Sequence, residues 1–197
     1  MGRIFYLMGK SASGKDTLYK RLLKECPGLR TVVLYTTRPM REGETDGVEY
    51  HFTTPEKLQE FQETGRMIEL RTYQTVYGPW SYATVDDGQI DLGEADYLTI
   101  GTLESYERLR SYYGDTAVVP LYVNVDDGIR LERALFRERQ QKEPKYAELC
   151  RRFLADDEDF SEGNLDKLGI RREYRNDELE SCVEEIKKEI MHGEGKK

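Results

Sequence analysis

Residues 4–17 constrain this chain more than any other stretch. The apolar run Ile4-Phe5-Tyr6-Leu7-Met8 stops at a glycine, and Gly9-Lys10-Ser11-Ala12-Ser13-Gly14-Lys15-Asp16-Thr17 follows it. A short apolar run of this kind predicts a buried strand of a parallel sheet. Beyond the glycines, Leu18, Tyr19, Leu22 and Leu23 recur at helical spacing until Pro27-Gly28 ends the pattern. The loop between strand and helix fits GxxxxGK. Its glycines let backbone N–H groups and the helix N-terminus wrap a phosphate, and Lys15 neutralises the outer phosphates. Asp16 stands where the pattern carries Ser or Thr on a metal ion. A carboxylate beside a polyphosphate is repulsive unless it faces the metal, so Asp16 is expected to hold Mg²⁺ through water.

The rest of the composition bounds what such a loop serves. At 197 residues with 38% hydrophobic side chains, the chain holds one substantial core and not two. Its net charge of −8 argues against bulk nucleic-acid or anionic-membrane partners, while leaving room for a local basic site. Cys26, Cys150 and Cys182 are scattered and odd in number, and only His51 and His192 could join them on a metal. That usage fits a reduced compartment. The apolar run at residues 4–8 is too short for a signal peptide or a membrane span. A soluble, cytoplasmic domain with no obligate protein partner is the expectation.

Organisation follows from periodicity. Thr31–Tyr35 predicts a second strand. The stretch from about Arg38 to Asp91 is polar and turn-rich, with strands predicted at Val48–Phe52 and Met67–Arg71. A short helix lies between them, capped by Thr54 with Pro55 at its first position. This stretch reads as an inserted lobe. The α/β pattern resumes with a strand at Tyr97–Ile100, a helix near Thr102–Tyr112 and a strand at Ala117–Val123. Three helices are expected to close the chain. One carries Tyr146, Leu149, Cys150, Phe153 and Leu154, and the last carries Leu179, Cys182, Val183, Ile186 and Ile190. The final residues, 193–197, read as a disordered tail.

The string Thr36-Thr37-Arg38-Pro39-Met40-Arg41-Glu42-Gly43-Glu44-Thr45-Asp46-Gly47-Val48-Glu49-Tyr50-His51-Phe52, joined to the phosphate loop, resembles the signature of guanylate kinases. The resemblance runs from about Arg3 to Ile190. It implies an α/β fold: a P-loop three-layer sandwich with a mostly parallel sheet, an inserted small α+β acceptor-binding lobe and a helical lid. The core would be residues 1–36 and 95–192, the lobe about 37–94 and the lid about 137–152. It also implies transfer of a phosphoryl group from ATP, with Mg²⁺, to GMP. ATP would lie on Gly9, Lys10, Ser11, Ala12, Ser13, Gly14, Lys15, Asp16 and Thr17, with Asn176 beside the adenine. Arg38 and Arg41 would grip the GMP phosphate, Tyr50 and Tyr77 would donate to it, and Glu69 would accept from the guanine edge. The lid arginines on the moving phosphoryl would be Arg139 and Arg152, with Arg137 able to take the place of Arg139 in that register.

Residue chemistry agrees with those roles. Two arginines three apart on a loop can converge on one phosphate through forked, permanently charged donors. A carboxylate suits guanine, whose N1–H and N2–H₂ are adjacent donors. Residues 130–152 hold eight Lys or Arg against four Glu, a basic patch in an acidic chain. Three departures point elsewhere. Pro79 follows Tyr77-Gly78 where the family has a serine or threonine, Gly101 stands in place of an aspartate, and residues 81–93 lack the amphipathic helix usual there. Gly-Lys-Asp in the loop and Gly101 resemble ribose 1,5-bisphosphate phosphokinase, so a sugar phosphate or another nucleotide is the alternative acceptor. A binding module without turnover is the third reading, although such domains usually lose the loop that Gly9, Gly14 and Lys15 keep here.

Overall fold

A computed structural model of the chain describes residues 2–75 and 77–192; the tail expected at 193–197 lies outside them. In chain order the elements are β1 (Ile4–Met8), α1 (Lys15–Glu25), β2 (Leu29–Thr31), β3 (Tyr35–Thr36), β4 (His51–Phe52), α2 (Pro55–Glu63), β5 (Met67–Thr75) and β6 (Gly78–Val85). They continue with β7 (Asp96–Ile100), α3 (Leu103–Tyr113), β8 (Val118–Asn124), α4 (Asp127–Arg139), α5 (Tyr146–Asp159), α6 (Glu162–Lys167), β9 (Glu173–Arg175) and α7 (Leu179–His192).

The apolar run at the start of the chain forms the middle of a five-stranded sheet ordered β2-β7-β1-β8-β9, every pairing parallel. All of β1 is buried, because helices cover both faces. Phe5 and Leu7 pack with Leu18 and Leu22 of α1 and with Cys182, Val183 and Ile186 of α7. Ile4, Tyr6 and Met8 pack on the opposite side with Tyr106 and Leu109 of α3 and with Phe160. Strand alternation thus divides one hydrophobic run between two helical layers.

A second sheet of four strands, ordered β4-β3-β6-β5, stands apart from the first. Its strands β5 and β6 form an antiparallel hairpin, and α2 covers it through Leu58 and Phe61 on Ala83 and Val85. The Thr54 side chain caps α2 by accepting from the Lys57 backbone N–H, with Pro55 at its first position as the sequence predicts.

Several boundaries differ from expectation. The strand predicted at Thr31–Tyr35 is two pieces in two sheets. Leu29–Thr31 pairs with β7, and Tyr35–Thr36 pairs with β4 and β6. Gln89 makes the switch possible: its side chain accepts from the Val33 N–H at 2.7 Å and donates to the Val33 carbonyl at 3.1 Å. Backbone groups that leave one ladder are satisfied before the next begins. Val48–Phe52 keeps only His51–Phe52 as strand, since Gly47 turns the chain in the left-handed region and leaves Val48 exposed. Residues 78–85 are a strand with no sequence forecast, which accounts for the missing helical pattern after Ser81. Among the described residues four helices rather than three follow β8, and the short strand β9 lies among them. Among the described residues no helix is long and apolar enough to cross a membrane.

Candidate active site

The phosphate loop leaves the carboxyl end of β1 and enters α1 at Gly14, which is left-handed with φ 86°. A side chain there would be strained by the backbone and would press a Cβ to 2.4 Å from the Asn176 amide nitrogen. Asn176 is buried just after β9 and donates to the Ser13 carbonyl at 2.7 Å, locking the loop. No side chain caps the N-terminus of α1, so its first N–H groups stay available to an anion. The Ser13 hydroxyl is buried in the loop without a hydrogen-bond partner. Lys15 folds back, its Nζ donating to the carbonyls of Gly9 at 2.6 Å and Lys10 at 2.9 Å. Burial lowers its pKa, with Asp16 and Asp156 opposing that shift. Asp16 and Thr17 are exposed on the first turn of the helix.

Arg130, unmarked in the sequence, anchors the neighbouring helices. It is 1% exposed, stacks on Phe153 and reaches Asp127, Asp156 and Asp157. Asp156 in turn accepts from the Ser11 N–H at 2.7 Å, and Asp157 holds Lys10 at 2.5 Å. Two cavities flank the loop. One of about 330 Å³ is lined by Ala12, Gly14, Thr17, Phe136, Arg137 and Asn176 among others. The other, of about 170 Å³, is lined by Ser11, Arg130, Arg137 and Arg152 among others. Arg137 thus borders both, and Arg152 borders the second. Arg139 borders neither and lies exposed on the last turn of α4. Between α4 and α5, buried Glu138 accepts from the Lys145 backbone N–H and the Gln141 amide, giving the connecting loop a fixed path.

The second sheet and the loops joining its strands carry the other predicted residues. Arg38 is 3% exposed and places both arms on the Glu44 carboxylate, at 2.8 and 2.9 Å. Arg38 and the Arg41 N–H hold the Glu44 carboxyl down to about 2. The Arg38 guanidinium also lies over the Tyr50 and Phe52 rings. Tyr50 meets Tyr82 edge-on at 5.7 Å, and burial raises the Tyr50 pKa, so its hydroxyl stays protonated and able to donate. The Arg41 side chain is exposed. Glu69 is buried and accepts from Thr84 at 3.0 Å and from Arg71 at 2.9 and 3.3 Å. Arg71 also donates to the Thr102 hydroxyl at 3.2 Å. Tyr77 is not brought to Tyr50: it is 82% exposed near the hairpin tip, stacked on Trp80.

Arg71, Tyr82, Thr84 and Glu44 had escaped the sequence reading. Period-two counting from Glu69 reaches Arg71, but Tyr82 and Thr84 emerge only from the hairpin register that sets them opposite Arg71 and Glu69. Gly101 is explained by space. A Cβ there would lie 2.1 Å from the Tyr6 hydroxyl and 3.1 Å from the Ser105 hydroxyl, so the buried Tyr6–Ser105 pair excludes any side chain. For a divalent cation, the described residues contain no group of three or more His, Cys, Asp or Glu placed to hold one. An exposed Asp16 beside the uncapped helix end suits Mg²⁺ that arrives on a polyphosphate, since this ion needs few protein ligands and keeps its waters.

A family model described as guanylate kinase matches residues 1–150. Guanylate kinase of Helicobacter hepaticus is 32% identical over 142 residues, 70% of this chain and 68% of the relative. That of Syntrophotalea carbinolica is 28% identical over 202 residues, 96% of this chain and 85% of the relative. The Neisseria gonorrhoeae protein reaches 41% identity over 99 residues, so that match spans 46% of the relative's length, about half. Among solved structures, the guanylate kinase of Anaplasma phagocytophilum superposes with a TM-score of 0.68 at 18% identity. It covers 100% of this chain and 87% of that one, and supports the fold.

Proposed function

Because the chain belongs to the guanylate kinase family, we propose that it transfers the γ-phosphoryl group of ATP to GMP or dGMP, giving ADP and GDP or dGDP. One observation carries this reading. The Arg71–Thr102 hydrogen bond holds the face bearing Arg38, Tyr50 and Glu69 against the carboxyl edge of the parallel sheet, where Gly9 begins the phosphate loop. Donor and acceptor sites then open on one crevice, the usual binding edge of an α/β sheet.

In the reaction an oxygen of the GMP phosphate attacks the γ-phosphorus, and the bond to the β,γ-bridging oxygen breaks as ADP leaves. The nucleophile belongs to the substrate, so the chain's task is positioning and charge stabilisation. Arg38 and Arg41 bind the acceptor phosphate, and Tyr50 adds a neutral donor. Lys15, the loop N–H groups and the Ser13 hydroxyl receive the ATP phosphates, with Asn176 fixing the loop from behind. Arg137 and Arg152 neutralise the phosphoryl in flight. Residues 137–152 act as the lid and residues 37–94 as the acceptor-binding lobe. Closure of these parts excludes water and suppresses ATP hydrolysis. Mg²⁺ arriving with ATP would supply charge neutralisation at the phosphates, and Asp16 is the side chain that would hold it through water. We read the reaction as cytoplasmic, the compartment that the scattered, odd-numbered cysteines suit.

The test is ADP release measured with GMP, dGMP, AMP, CMP, UMP and ribose 1,5-bisphosphate as acceptors. Turnover with GMP or dGMP above all others is expected. A preference for a pyrimidine nucleotide, AMP or the sugar phosphate overturns the reading, as does GMP binding without ATP binding in a calorimetric titration.

A further inference from the structure

The hydrogen-bonding capacity around Glu69 is already partly spent, and what remains unspent specifies the ligand. A carboxylate offers about four lone-pair sites. Oε1 of Glu69 accepts from Thr84 Oγ1 and Arg71 Nη2, and Oε2 accepts from Arg71 Nε. One acceptor site is left. Arg71 has five N–H groups. Those used are one on Nε and one on Nη2, both to Glu69, and one on Nη1, to Thr102. Two donors are left. Neither group is free to rearrange cheaply: Glu69 and Arg71 are largely buried, and removing either partner strands a charge. Nor does the end of β7 bring another carboxylate at Gly101, where Tyr6 fills the space.

We propose that Arg71 is a specificity-determining residue that donates to the base carbonyl, so that the pocket selects 6-oxopurine nucleoside monophosphates as a class. This deepens the guanylate reading and rests on it. With N1–H of the base on the remaining site of Glu69, the neighbouring O6 faces the unspent donors of Arg71. An arginine fork over O6 and N7 is also the pairing that reads guanine in nucleic-acid grooves. Adenine presents the reverse order, with a lone pair at N1 against the carboxylate and an amino group against the guanidinium. The 2-amino group of guanine, by contrast, finds no unspent acceptor on Glu69, so IMP is an acceptor comparable to GMP.

The experiment compares kcat/KM of the full chain for GMP, IMP and 6-thio-GMP, in which a poor sulfur acceptor replaces O6 and leaves N1–H and the amino group intact. IMP is expected within ~10-fold of GMP, because one unread amino group costs little. Wild type is expected to favour GMP over 6-thio-GMP by ~10-fold or more, as a hydrogen bond to a charged donor is lost. Arg71→Met is expected to reduce that ratio to about 2, mainly through the KM for GMP. Arg71→Lys keeps a cation beside Glu69 should the methionine variant fail to fold, and it is expected to lower the ratio as well. A ratio unchanged by substitution, with both nucleotides losing equally, makes Arg71 merely structural and overturns the proposal. IMP falling more than ~10-fold below GMP overturns it too, since the amino group is then read. Absence of turnover with all three in wild type is a different failure: it overturns the guanylate reading itself and this inference with it.

Discussion

Placing a side chain at Gly101 measures how firmly buried Tyr6 holds the end of β7. Gly101→Ala would bring a methyl to 2.1 Å from the Tyr6 hydroxyl, well inside contact distance, in a strand end walled by buried groups. Overpacking of this kind costs about 1–3 kcal/mol. Tyr6→Phe alone removes the 2.6 Å hydrogen bond to Ser105, whose hydroxyl keeps Thr102 as a partner at 3.0 Å. One net buried hydrogen bond is worth about 1 kcal/mol. In the double variant the hydroxyl is gone and the nearest ring carbon stands 3.1 Å away, a gap that a small shift relieves. The two substitutions therefore interact: together they cost less than their sum by about 1–2 kcal/mol. Urea denaturation of the four proteins, followed by Trp80 fluorescence and by circular dichroism, gives that coupling directly. Additivity within about 0.5 kcal/mol would refute the reasoning, because some other group would then be excluding the side chain. Gly101→Asp is expected to be costlier than Gly101→Ala, since a carboxylate joins the crowding.

Other expectations bear on the loop and the lid. Lys15→Met should lower kcat by on the order of 10²-fold or more, with the far-ultraviolet spectrum unchanged, if Lys15 stabilises charge during transfer. The same variant tests its pKa. Burial holds the folded value below the unfolded one, so between the two the unfolded chain binds more protons and stability rises with pH. The stability of wild type relative to Lys15→Met should accordingly rise with pH as the unfolded value of 10.5 is approached from below, by at most about 1.36 kcal/mol per pH unit. Arg137→Ala should cost on the order of 10²-fold in kcat and Arg139→Ala less than about threefold, and the opposite ranking would return Arg139 to the site. Asp16→Asn should raise the Mg²⁺ concentration for half-maximal turnover; an unchanged Mg²⁺ titration removes Asp16 from that role.

The readable parts of the site were those where local chemistry and local chain geometry coincide. The phosphate loop needs neighbours in sequence to be neighbours in space, and the Arg38 segment likewise closes on itself through Glu44 six residues on. What stayed hidden depends on pairing between distant segments. Thr84 joins Glu69 only through the β5–β6 register, which also contains an irregularity between Met67 and Glu69. Arg130 looked like one more exposed helical arginine, because its Asp156 and Asp157 partners lie on a different helix. The choice between Arg137 and Arg139 was one of helical phase. Two residues rotate a side chain by about 200° around the axis, and sequence alone gave no fixed point from which to count. At Thr31–Tyr35 a continuous run of β-branched and apolar residues reads as one strand, since nothing local reveals that Gln89, fifty-six residues after Val33, satisfies the Val33 peptide between two sheets.

The acidic composition that argued against polyanionic partners acquires a specific meaning in the site. Four of the cations there already have a carboxylate from the chain itself: Arg38 with Glu44, Arg71 with Glu69, Lys10 with Asp157, and Arg130 with Asp156 and Asp157. These pairs are not equivalent. The Arg71 and Arg130 contacts are enclosed and have structural partners on other elements, so an arriving ligand must work with their leftover capacity. Arg38 is different, because both of its arms lie on Glu44 of a mostly exposed loop. A phosphate at Arg38 must therefore displace that carboxylate or share the guanidinium with it. Exchange of one anion for another of higher charge leaves the buried guanidinium paired at every stage, whereas an unpaired Arg38 would carry a desolvation cost of several kcal/mol. On the proposed reading Glu44 is the resident anion that keeps Arg38 paired between substrates, and its loop moves where the phosphate displaces the carboxylate rather than sharing the guanidinium.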